Sequence, residues 1–144
     1  MALTLGLQQL GKTVYPVLVS GVPTAFRYLG EDLEITTTLP QSDARTVCVV
    51  LDASDSARTG DKACVGGYAT HGMLAYIDHH PGGDLQHLAG THFHNIDASS
   101  TCELVYAVLQ ELGVKFNHQI STALLTGIYT DTGGFQHSNT SQHT

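Results

Sequence analysis

The sequence predicts an α/β fold: a doubly wound, mostly parallel sheet with helices on both faces. Three observations lead there. Val47-Cys48-Val49-Val50-Leu51 and Met73-Leu74-Ala75-Tyr76-Ile77 are continuous apolar runs rich in strand formers, the pattern of strands covered on both faces. Each run stops abruptly, the first at Asp52 and the second at Asp78-His79-His80. Two later segments carry helical periodicity, and 144 residues suit one domain.

Taken in order, Leu3, Leu7 and Leu10 fall at i, i+4 and i+7, with Gly11 placed to end a helix. Thr13 to Val19 is a β-rich run that contains Pro16; proline cannot donate to a ladder, so this run belongs at a sheet edge. Residues 22 to 40 read as a short helix, a short strand from Leu33 to Thr37, and a loop. After the two apolar strands, Pro81-Gly82-Gly83 turns the chain. Ser100-Thr101-Cys102-Glu103 reads as a capping box, and Leu104, Val105, Val108, Leu109 and Leu112 give the helix behind it an apolar stripe. A final helix follows from Ile120, Ala123, Leu124, Gly127 and Ile128, and the same spacing places Asp131 on its buried face.

Composition narrows the function classes. Six basic residues against 13 acidic ones give a net charge of -7, which excludes wrapping of nucleic acid by bulk positive charge. A phosphate-bearing substrate then requires metal ions as the source of attraction. Cys48, Cys64 and Cys102 form no CxxC pair, so neither a disulfide framework nor a cysteine zinc site is expected; Cys48 and Cys102 read as packing residues. The first residues lack a basic n-region, and no apolar run reaches the ~18 residues of a membrane span. The expected protein is soluble and cytoplasmic, with no membrane partner.

Chemistry concentrates at the strand ends. Nine histidines occur in the chain, five of them between His79 and His94. Open α/β sheets bind ligands beyond the carboxyl ends of their strands. Asp52, Asp78-His79-His80 and Asp131 place carboxylate and imidazole groups at such ends, a donor set suited to manganese, iron or zinc. A buried Asp131 requires a positive partner, and no lysine or arginine lies near it in sequence. His92 and His94 sit two apart and are read as partly exposed loop residues rather than a metal pair; the other histidines lack ligand spacing.

Four ordered segments carry a family resemblance: VVLDASD (Val49 to Asp55), IDHHPGG (Ile77 to Gly83), IDASSTCELVYAVLQELG (Ile96 to Gly113) and GIYTDTGGFQHSNT (Gly127 to Thr140). They resemble motifs of the DHH phosphoesterases, near the RecJ-related branch of bacterial oligoribonucleases and phosphoadenosine-phosphate phosphatases. The resemblance implies a two-metal phosphoesterase, usually with manganese, acting on short oligonucleotides or 3',5'-bisphosphonucleotides. By matching position, Asp52 resembles a carboxylate bridging two metals, and His79 and Asp131 resemble ligands of one of them. His80 resembles the residue that contacts phosphate, and Asp78 the group supporting the histidines. The partners implied are a short oligonucleotide or nucleotide and, for a full-length protein, a second copy in a homodimer.

The departures shape the remaining expectations. Family members begin with a strand and an HxxxDxDxxGS motif that this sequence lacks; MALTLGLQQLGK resembles the helix just after it. A carboxy-terminal substrate-binding domain is also missing. Residues 1–144 therefore read as a partial DHH domain without its first, central strand, in which either residues 13 to 19 pair poorly with the rest or the sheet shifts to close the gap. Weak metal binding and weak or absent activity are expected of it. Two alternatives remain open: a non-catalytic nucleotide-binding or regulatory domain, and a manganese pyrophosphatase.

Overall fold

A computed structural model describes residues 1–144. Three parallel strands form its sheet, β1 (Cys48–Leu51), β2 (Leu74–Asp78) and β3 (Thr91–His94), in the order β1-β2-β3. Leu51 pairs with Ile77 across the first ladder, and Asp78 with His94 across the second. Five helices surround the sheet: α1 (Ala2–Gln9), α2 (Lys62–Thr70), α3 (Leu85–Leu88), α4 (Thr101–Glu111) and α5 (His118–Asp131). No helix is long and apolar enough to cross a membrane.

The two-residue alternation of the strands sorts the core into two layers. Leu51 and Ile77 pack with Leu3, Leu104, Leu109, Ile120 and Leu124 of α1, α4 and α5. On the other side Val50, Leu74 and Tyr76 pack with Val65 and Tyr68 of α2 and Leu85 of α3. The expected α/β arrangement, with helices on both faces, is thus observed. Gly127 lets α4 and α5 approach closely, because a methyl there would collide with the Cys102 thiol. Burial pushes both the Cys102 and Cys48 thiols up to about 11, consistent with packing roles.

Strand β1 is not covered as its apolar run predicts. Val47 and Val49 are exposed, since β1 is an edge strand here and its outer side borders a cleft of about 990 Å³. Residues 13–19 form the opposite wall of that cleft and lie outside the sheet. Their pairing is an isolated parallel bridge from Val17 to Thr36, and the predicted strand from Leu33 to Thr37 shrinks to the same bridge. The chain exposes 8526 Å², whereas a monomer of 15.3 kDa is expected to expose ~7,100 Å².

Three elements were not foreseen. The two glycines at 66 and 67 weaken the helical signal of α2, which is instead started by the Asp61 side chain accepting from Cys64 N at 3.0 Å. Helix α3 is a single turn, and β3 is too short for its alternation to stand out. The 22–40 segment holds a 3-10 helix, Thr24–Gly30.

One turn between β2 and α3 sets up the site. Gly82 and Gly83 both adopt positive φ, 77° and 93°. Asp84 then accepts from the backbone N–H and the hydroxyl of Ser56, each at 2.6 Å, tying this turn to the loop after β1. These bonds hold the Asp84 carboxyl below its ordinary value.

Two outcomes follow. Space is open around Gly82, whereas a methyl on Gly83 would strike the Ser54 carbonyl. In urea unfolding Gly82→Ala should cost about 1 kcal/mol through backbone strain alone, and Gly83→Ala clearly more; equal costs would refute this account of the turn. Because its folded pKa is lowered, Asp84 stabilises the fold fully above 3.8 and progressively less as pH falls through the folded value. Asp84→Asn should therefore flatten the loss of stability measured on acidification below that point.

Candidate metal centre

The site lies beyond the carboxyl ends of β1 and β2. Asp52 is the first residue past β1: its N–H still donates to Ile77 O at 3.1 Å, and its φ of 60° then turns the chain out of the sheet. Aspartate is among the few non-glycine residues that tolerate this region, and such outliers gather at functional sites. Thr101 Oγ1, in the first turn of α4, donates to Asp52 Oδ1 at 2.7 Å and aims the carboxylate.

Asp78 ends β2 with no solvent exposure. Its Oδ1 accepts from His79 N at 2.8 Å, from His80 N at 3.2 Å and from His80 Nδ1 at 2.8 Å. Through Oδ1 the carboxylate folds the two histidines over itself, while its Oδ2 is buried without a hydrogen-bond partner. A second brace comes from β3, where His94 Nε2 donates to the His80 carbonyl at 2.7 Å. His92 and His94 thus occupy a strand, not a loop, with both rings beside Tyr76. Neither is among the residues whose ligand atoms gather closely enough to hold a metal ion.

His79 is the convergence point. Its Nδ1–H donates to the Ala98 carbonyl at 3.1 Å, which leaves Nε2 as the bare lone pair. Nε2 is buried and has no hydrogen-bond partner. It lies 3.2 Å from Asp131 Oδ2 and 3.8 Å from Asp52 Oδ1. The structure therefore brings together Asp52, His79 and Asp131, which are far apart in sequence. His80 sits beside them, its ring 4.5 Å from that of His79.

The tightest ligand-type cluster is Asp52, Asp78, His79 and His80, with one atom of each within 4.8 Å of the others. Asp131 falls outside it, yet it approaches His79 Nε2 more closely than Asp52 does. Their surroundings differ: Asp78 Oδ1 faces backbone donors and the His80 ring while its Oδ2 has no partner, and Asp131 faces His79 Nε2. A buried acceptor nitrogen between two carboxylates, with no proton donor supplied, is a donor set that fits one divalent cation.

Two local expectations need correction. The Asp131 side chain is 41% exposed, not buried, because α5 ends there and the carboxylate meets the open cleft. A second cleft, of about 360 Å³, reaches from Asp52 and Asp131 past Ser100 and Thr101. The capping box is shifted by one residue: Glu103 accepts from the backbone and hydroxyl of Ser99, while Ser100, the residue preceding α4, makes no side-chain cap. Thr101, His94 and Ala98 act as supports that the sequence pattern does not mark. Spacing carries no sign of contacts made between separate elements.

Support and metal-facing positions should separate in unfolding measurements. Without metal, Asp78→Ala strands three donors and should lose about 3 kcal/mol or more. Asp131→Ala, at an exposed position, should change stability by less than about 1 kcal/mol. The reverse order in urea unfolding would overturn the two roles.

Comparison with known proteins agrees in extent. The model of the DHH family, N-terminal domain, matches residues 1–128. The bifunctional oligoribonuclease and PAP phosphatase NrnA of Thermus thermophilus is 32% identical over 141 residues, covering 93% of this chain and 38% of that protein. A probable manganese-dependent inorganic pyrophosphatase of Thermotoga maritima is 37% identical over 70 residues, covering 49% of this chain and 13% of that protein. The chain thus spans well under half the length of either relative.

Proposed function

Because the chain belongs to the DHH family, we propose that it is the amino-terminal part of a divalent-metal phosphoesterase acting on short oligonucleotides or 3',5'-bisphosphonucleotides. The observation that carries the reading is the orphaned His79 Nε2 set between Asp52 and Asp131. The name of the Thermus relative supports the substrate class. Manganese is the proposed metal, in keeping with the donor set and with the name of the Thermotoga relative.

The chemistry follows from the groups in place. A phosphodiester is an anion, and this chain carries a net charge of -7, so the site must supply its own positive charge. Asp52, His79 and Asp131 would hold the metal, which when bound offsets the charge on phosphate and makes water acidic enough to be a nucleophile at neutral pH. Asp78 holds His80 through Nδ1, which leaves Nε2 of that ring without a protein hydrogen bond. In its protonated form His80 donates from Nε2 to a phosphate oxygen, and the buried Asp78 carboxylate stabilises the imidazolium. Ala98 keeps His79 in the tautomer a metal requires.

A pyrophosphatase reading employs the same residues and is separated from this one by substrate alone. With manganese present, turnover of a dinucleotide and of a 3',5'-bisphosphonucleotide should exceed that of pyrophosphate. His79→Ala and Asp131→Ala should lower it by about 100-fold or more, taking their loss as that of a metal-directed group. The assay belongs on the full-length protein, where equal turnover by the unaltered form and both variants would defeat the assignment.

A further inference from the structure

The segment 98–101 bonds directly to His79 and Asp52 and reaches Asp131 through Asn139. Ala98 O receives His79 Nδ1–H, Thr101 Oγ1 donates to Asp52, and Ser99 O receives the side-chain amide of Asn139 at 2.9 Å. The same amide nitrogen donates to Asp131 O at 3.2 Å. Both partners are carbonyls, which only accept, so the nitrogen end of Asn139 must face them. One amide therefore links the end of α5 to the segment that orients His79 and Asp52.

The intervening chain is a tight bonded turn. Gly133 N and Gly134 N donate to the Thr130 and Tyr129 carbonyls, Gln136 N and His137 N to that of Thr132, and His137 Nδ1 to that of Asp131 at 3.3 Å. Gly133, Gly134 and Phe135 are three consecutive residues at positive φ, 57°, 69° and 64°. A run of this kind, with a phenylalanine in it, persists only where its surroundings over-determine it. Thr132 holds one end, completely buried, donating from Oγ1 to Ile128 O at 2.7 Å and accepting from Phe135 N at 3.1 Å. Asn139 holds the other end.

We propose that Asn139 is a positioning residue of the centre, whose amide clasps the Asp131 backbone to Ser99 and so fixes the Asp131 carboxylate opposite His79 Nε2. This rests on Asp52, His79 and Asp131 being the metal-binding set. Asn139 touches neither metal nor substrate. It acts through the backbone of the residue it carries.

The experiment uses the whole 144-residue chain, manganese alone as the probe, and EPR to measure its binding. Asn139→Ala removes the amide; Asn139→Asp keeps its shape but cannot donate. Both should weaken manganese binding by about ten-fold or more, the scale for groups that orient ligands. Val65→Ala, in the layer on the opposite sheet face, controls for general destabilisation and should leave affinity unchanged. Affinities for both Asn139 variants within about two-fold of the unaltered chain overturn the proposal, as does full rescue by Asn139→Asp. His79→Ala tests the underlying centre separately: binding equal to the unaltered chain rejects that reading. Should the unaltered chain bind no manganese, amide exchange in metal-free protein decides the clasp. Asn139→Ala should speed exchange from Thr132 to His137 and leave the second half of α4 unchanged, and unchanged exchange at Thr132 to His137 overturns it.

Discussion

The site depends on His79 being held from behind. An imidazole on a free loop samples both tautomers and several rotamers, and would present a metal with either nitrogen or neither. The Ala98 carbonyl removes that freedom by taking Nδ1–H, so that Nε2 is left as a lone pair between two carboxylates. Asp78 does the same for the loop as a whole, from inside the protein, by collecting the backbone donors of His79 and His80. Rigidity of this kind is what separates a coordination site from a polar surface patch.

The supports have a common origin in the parallel sheet. Its strands all point their carboxyl ends the same way, so Asp52 and Asp78 emerge side by side from β1 and β2. The start of α4 and the end of α5, packed in one layer on the same sheet face, then bring Thr101 and Asp131 to them. Asp52 takes a left-handed backbone to stay at the cleft, and the turn after Asp131 takes three such residues in succession. Strain is thus concentrated at the site, while the layers beneath, with Leu109, Ile120 and Val65 fully buried, are conventionally packed.

The open side of β1 is the other notable feature. A run as apolar as Val47 to Leu51 belongs in a sheet interior, yet its outer edge faces a cleft with residues 13–19 across it. The pattern in the sequence speaks to an environment with a neighbour on that side. Asp52 stands at one end of that same cleft, so the edge and the centre adjoin.

Much of this was legible before any coordinates. The period of apolar residues located β1, β2, α1, α4 and α5, because burial on one face or two leaves a direct mark on composition. The abrupt change from apolar to acidic or imidazole residues marked Asp52 and Asp78-His79-His80, since strand ends are where a sheet meets solvent. Helix α2 was obscured by Gly66 and Gly67, and β3 by its shortness. Tertiary structure alone decided that Asp131 is exposed rather than buried, that Glu103 reaches Ser99 rather than Ser100, and that Thr101, His94 and Asn139 brace the centre. The bracing contacts depend on where a second element lies in space, and the Glu103 contact on the local backbone path; a one-dimensional pattern encodes what a residue prefers, not which partner it meets.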